Sequence, residues 1–249
     1  MTTIKRFRLF LGFHQVVYLC FFWSEPWRWF LPGEMVSPAL TFPYFPSALH
    51  YLQSPVFISV LWMVLLVGWC VFAFNYLPKP LQIVLFILQI SFHNANPLII
   101  HEPQQLANFF LIVSIMWPSK NKTKEELLMK KIMLITLATY YFAAGVKKLP
   151  DINWLNGHAL ELILQSNFLS QDNWMSHYLS RQRELCQLLT WCTLLFELGF
   201  IFLIFTRYRK FLIILGIGFH AMIALTMSVG TFSLIMLPWY SFLIDNDEV

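Results

Sequence analysis

The chain has 249 residues, 58% of them hydrophobic and only 12% Asp, Glu, Lys or Arg, with a mean hydropathy of +0.60. A soluble domain carries about 25% charged residues, and 17 Lys and Arg with 13 Asp and Glu are too few to cover a soluble chain of this length. The composition is that of a membrane protein, and 25 Phe and 10 Trp suit side chains that face lipid or its interfaces. A net charge of +4, with no continuous basic stripe outside the loops, excludes nucleic acid as a partner.

A helix needs about 20 apolar residues to cross the hydrocarbon core. Eight segments approach that length: Leu9–Trp23, Val56–Leu77, Leu81–Phe92, Leu106–Trp117, Ile132–Val146, Cys186–Thr206, Phe211–Ser228 and Phe232–Ile244. The second, sixth and seventh are long enough to span. The third and fourth are short enough to form a re-entrant pair instead of two crossings, which leaves the later topology unchanged. The expected fold is all-α, a polytopic integral membrane bundle of about eight segments forming a single domain over residues 1–249 with no soluble domain. Lys5-Arg6-Phe7-Arg8 ahead of an apolar run has the outline of a signal peptide, but Phe21-Phe22-Trp23 offers no small-residue cleavage site, so the segment reads as a retained helix.

Placing the amino terminus in the cytoplasm puts Lys5, Arg6, Arg8, Lys79, the lysines between Lys120 and Lys131, and Arg207, Arg209 and Lys210 on that side. Arg28, Lys147, Lys148, Arg181 and Arg183 fall opposite, an asymmetry that the positive-inside rule favours. The acidic tail Asp245–Glu248 weighs little in that rule. Two polar stretches, Ser24–Pro55 and Pro150–Glu184, fall on the outer side. Ser24–Pro55, rich in Pro and in aromatics such as Trp27, Trp29, Phe30, Phe42, Tyr44 and Phe45, reads as a folded cap. Asn173–Glu184, with Trp174, His177, Tyr178 and Arg181, reads as an interfacial amphipathic helix. Cys20, Cys70, Cys186 and Cys192 form no Cys-x-x-Cys pair or His/Cys cluster, so they read as packing residues, with neither a disulfide nor a metal site expected.

Ionisable groups at membrane depth are costly and so stand out. They are His14, His93, Lys147 and Lys148 at the outer end of the fifth segment, Glu197 in the middle of the sixth and His220 in the middle of the seventh. If the sixth and seventh segments are antiparallel neighbours, Glu197 and His220 come to similar depth and pair, either as a site or as an interhelical hydrogen bond worth around 1 kcal/mol. Lys147 and Lys148 either anchor a helix end by snorkelling or include a base. A lysine in an apolar pocket loses solvation for its charged form, which makes its neutral amine available to take a proton.

The stretch Tyr140-Tyr141-Phe142-Ala143-Ala144-Gly145-Val146-Lys147-Lys148-Leu149, with Trp154 and Gly157 after it, resembles the signature of the vitamin K-dependent gamma-carboxylase transmembrane domain, or HTTM family. Phe196-Glu197-Leu198, Phe219-His220-Ala221-Met222, Ser228–Ser233 and Met236-Leu237 resemble that family's later helices in the same order, and Ser91–Pro97 resembles its polar turn more loosely. The resemblance implies a bundle cavity for reduced vitamin K or another quinone, with Lys148 in the position of the catalytic base and Lys147 beside it. It further implies His93, Trp154, Glu197 and His220 as candidate cofactor contacts, and no metal.

The family's carboxylases continue well beyond the bundle into a region that engages a protein substrate, whereas this sequence stops shortly after its last segment. The expectation is a stand-alone bundle in the bacterial inner membrane, acting on a lipophilic cofactor or a peptide or protein substrate. The alternative is a non-catalytic partner of a membrane or secreted protein in peptide maturation or export. A transporter is a third class, for which neither repeated halves nor paired broken helices are present.

Overall fold

The computed structural model of the chain describes residues 2–22, 24–30, 47, 49, 54–95, 102–118 and 123–243. They fall into two compact units, Met1–Lys120 and Asn121–Val249. Among the described residues all regular structure is helical, apart from one isolated bridge between Ser170 and Met227.

The first unit comprises α1 (Thr3–Cys20), α2 (Pro26–Phe30), α3 (Pro55–Ala73), α4 (Lys79–Ala95) and α5 (Glu102–Met116). Helix α3 begins where a sequence dictates a start: Ser54 Oγ accepts from the Phe57 amide, and Pro55, which has no amide hydrogen to lose, occupies the first turn. It is apolar all round. Ile58, Trp62, Leu65, Trp69 and Phe72 are buried, while Val56, Val60, Val64 and Val67 are more than half exposed, which is the pattern of a helix with lipid on its outer side. Helices α1 and α3 approach closely at Gly12, where a Cβ would sit 2.9 Å from Ala73 Cα and 3.0 Å from the Trp69 carbonyl. Within the Ser24–Pro55 stretch, α2 packs against the other helices of this unit, with Phe30 edge-on to Phe92 at 4.7 Å. Phe42, Tyr44 and Phe45 lie outside the described residues.

The second unit comprises α6 (Thr123–Lys148), α7 (Ile152–Leu155), α8 (Ala159–Gln165), α9 (Trp174–Ser180), α10 (Arg183–Leu203), α11 (Arg209–Thr226) and α12 (Gly230–Leu243). Each of the eight expected segments coincides with a helix, but among the described residues four helices have the length and composition to cross a membrane: Pro55–Ala73, Lys124–Lys148, Arg183–Leu203 and Arg209–Thr226. Eight crossings are therefore not established.

The fifth segment is longer than Ile132–Val146. Helix α6 reaches back through the charged residues 124–131, because Lys and Glu are good helix formers, Glu125 and Glu126 favour the first turn, and Lys130 bonds Glu126 one turn away at 3.2 Å. The third and fourth segments are α4 and α5, at 17 and 15 residues shorter than a typical crossing. The Asn173–Glu184 reading also needs correction: α9 stops at Ser180, and Arg183 and Glu184 open α10.

Candidate functional site, an ion pair in the second unit

On α6, Tyr141, Gly145 and Lys148 recur at the spacing that shares one helical face. On α10 the buried stripe is Cys186, Thr190, Leu194, Glu197 and Phe200, so a carboxylate occupies a core position. The two faces meet. Lys148 Nζ donates to both Glu197 Oε1 and Oε2 at 2.7 Å, and its side chain is 23% exposed against 7% for Glu197. The Lys148 side chain lies back along its own helix, within 3.5 Å of the Ala144 carbonyl. The aliphatic stem is thus packed while the ammonium makes a charge-assisted pair.

Gly145 makes this contact possible. A Cβ there would lie 2.9 Å from Leu198 and 3.2 Å from Glu197 Cβ. Gly145→Ala is expected to push α10 off α6 at the level of the pair and to cost about 1–3 kcal/mol as overpacking, measured as reduced resistance to denaturant in detergent. An unchanged midpoint would mean that the two helices are not tightly apposed there.

Trp154 closes the other side, its ring centroid 5.0 Å from Lys148 Nζ. It is placed by a short capped turn, in which Asp151 accepts from the Asn153 amide at 2.9 Å. Gly157 follows at φ +80°, a conformation that favours glycine. Trp191 Nε1 and Gln187 Nε2 then donate to the carbonyls of Leu155 and Asn156, fastening the turn to α10. Lys147 is exposed and takes no part in the pair, since one helical step rotates it about 100° from Lys148.

The expected Glu197–His220 pair is not the arrangement found, because each has another partner. His220 Nε2 bonds Tyr141 Oη at 2.7 Å, and Tyr141 Oη also bonds Tyr240 Oη. Phe196, Phe219 and Phe232 surround these groups. Gly216, one turn before His220, leaves the space that the Tyr240 ring fills. His220 Nδ1 and Ser233 Oγ are buried and have no hydrogen-bond partner among the described residues.

His93 belongs to the first unit and is not a member of this cluster. There the Asn108 amide donates to His93 Nδ1 at 3.1 Å, Gln89 Nε2 donates to Asn108 Oδ1 at 2.6 Å, and Trp69 Nε1 donates to Gln89 Oε1 at 2.7 Å. The neutral members of this ladder, and a second contact from Gln15 Nε2 to Gln104 Oε1 at 3.3 Å, carry no charge and escape a search for ionisable groups. Their signal in the sequence is the helical spacing of Gln82, Gln89 and His93 on α4 and of Gln104 and Asn108 on α5.

Long apolar helices whose outer faces remain apolar, with a buried ion pair between two of them, define an integral membrane protein of helical type. The family model of the HTTM domain matches residues 103–247, more than half of the chain, and the chain belongs to that family. The HTTM domain is the membrane domain of vitamin K-dependent carboxylase-like proteins. The matched residues take in the stretch around Lys148 and the later motifs through Met236-Leu237, but not Ser91–Pro97 or His93. No curated protein and no solved structure gives a match.

Proposed function

We propose that the chain is a membrane enzyme of the carboxylase-like kind that takes a proton from a lipid-soluble ligand, with Lys148 as the base and Glu197 as the group that frees it to act. The supporting observation is the two-pronged contact of Lys148 Nζ with Glu197 beside the Trp154 ring. An ammonium held by a carboxylate is a donor, so Lys148 must lose a proton before it can accept one. The nearest acceptors are the Glu197 oxygens, 2.7 Å away. Transfer along that hydrogen bond leaves a neutral amine and a neutral acid, and a water-poor surround penalises this state less than it penalises lone charges.

A quinone of the vitamin K type suits this donor set, which offers a charged hydrogen-bonding pair beside an aromatic face. In its hydroquinone form such a ligand supplies an ionisable hydroxyl and two reducing electrons. Lys148 and Trp154 are the residues that would hold it. Tyr141 and His220 offer a further polar contact about 10 Å along α6 from Lys148. The distribution of Lys and Arg favours an amino terminus in the cytoplasm, with Lys148 toward the opposite face.

The closure of the pair on itself favours a second reading, a non-catalytic partner in the maturation or export of a peptide, in which Lys148–Glu197 only staples α6 to α10. Mass spectrometry of small molecules that co-purify with the wild type and with Lys148→Ala and Lys148→Arg separates the two. The arginine variant keeps a cation opposite Glu197 but cannot give up its proton. The enzyme reading expects a quinone with the wild type, its loss from the alanine variant, and a folded arginine variant without activity. Folded protein with no quinone in any sample would leave the staple standing.

A further inference from the structure

The pairing register of α6 and α10 is offset. Lys148 ends α6, yet its partner Glu197 lies 14 residues into α10, about 21 Å from Arg183 along the axis. The first half of α10 therefore extends beyond the end of α6. Its neighbours there are the short helices: the Leu160 amide donates to Thr190 Oγ1, Trp191 Nε1 to the Leu155 carbonyl, and Cys186 packs with Leu164 and Leu179.

The loop between α8 and α9, with the first turn of α9, also holds the end of α11. Gln171 Nε2 donates to the Ala224 and Met227 carbonyls, Asn173 Nδ2 to Leu225 and Ser176 Oγ to Thr226. The carbonyls that a helix end leaves bare are thus satisfied by protein, a requirement at membrane depth and a luxury in water.

Helix α9 has apolar residues on both faces. Leu179 is buried and Met175 packs beside it, while Trp174 and Tyr178, four residues apart, are 75% and 57% exposed. Phe168 is 85% exposed, and Ile152 and Leu162 are each at least half exposed. Exposed polar groups sit among them at Asp172 and His177, which bond each other at 2.8 Å. Aromatic side chains with a polar tip, mixed with a few charges, are the composition of a membrane interface.

We propose that residues 149–182 form a platform lying in the lipid interface of the leaflet on the Lys148 side, with Phe168, Trp174 and Tyr178 among the lipids. The occupant of this face is the bilayer that α10 and α11 already enter, and the inference holds whether or not the ion pair is catalytic.

The test is tryptophan fluorescence of the full chain in nanodiscs of phosphatidylcholine brominated near the glycerol end of its acyl chains. Subtracting the emission of Trp174→Phe from that of the wild type isolates Trp174. That component is expected to lose most of its intensity to the brominated lipid and little to aqueous acrylamide. Trp174→Phe combined with Tyr178→Trp, compared with Trp174→Phe alone, reads the neighbouring position and is expected to behave alike. Strong quenching of both positions by acrylamide, with none by the lipid, overturns the proposal and leaves a water-facing surface open to a protein partner.

Discussion

Glu197→Ala is expected to destabilise the second unit by about 3–5 kcal/mol, the cost of leaving a largely buried cation, 23% exposed, without its partner. Lys148 is tied back against Ala144 and covered by Trp154, so its ammonium cannot simply swing into water without giving up both contacts. Replacing both members, as Lys148→Met with Glu197→Leu, is expected to restore stability to near the wild-type value, since an apolar pair of similar volume carries no desolvation penalty. Denaturant titration in detergent of Lys148→Met, Glu197→Leu and the double variant closes the cycle, with Glu197→Ala measured beside it. A Glu197→Ala loss below about 1 kcal/mol, the scale of an exposed pair, would show that the charges are solvated and would remove the basis for a shielded proton transfer.

Trp69→Ala is expected to be the most damaging single truncation in the first unit, at about 3–5 kcal/mol. The side chain is fully buried, its ring stands edge-on to Phe72 at 5.0 Å, and its indole N–H begins the ladder through Gln89 and Asn108 to His93. Trp69→Phe keeps most of the ring and removes only the donor, leaving Gln89 Oε1 bare at about 1–3 kcal/mol. The same titration distinguishes them. Equal losses for the two variants would assign the whole effect to the hydrogen bond and none to packing.

The helices were legible in the sequence because apolar runs of this length have few alternatives, and their order follows the segments closely. Length misled most at α6, where Lys124–Lys131 reads as a cytoplasmic loop by charge but is helical by propensity, and in the same way at α1, which begins at Thr3 and takes in Lys5, Arg6 and Arg8. Lys148, Glu197 and His220 were all found by the rarity of charge, but the partners were not. Matching segment midpoints aligns Glu197 with His220, a construction that assumes helices begin and end level with one another. The early end of α6 brings Lys148 to Glu197 instead.

His220 then bonds Tyr141, which in turn bonds Tyr240; these hydroxyls carry no charge and so escape a search for ionisable groups. The same reason hid the amides of the first unit. Gln82, Gln89, Gln104 and Asn108 lower the hydropathy of α4 and α5 only slightly, yet the first three are almost completely buried. Neutral amides that satisfy one another are tolerated at depths where a lone charge is not.

The offset between α6 and α10 also has an electrical side. With Glu197 two thirds of the way along a membrane-length helix, a proton reaching the pair from either face has crossed part of the transmembrane voltage, whose full span is worth about 2.3 kcal/mol per 100 mV for a unit charge. A proton passed between Lys148 and Glu197 moves only within one hydrogen bond and is nearly indifferent to that field. If the pair works as proposed, proton exchange with bulk water is the step that the voltage tilts, and turnover that loads or unloads the pair from solution is expected to respond to membrane polarisation.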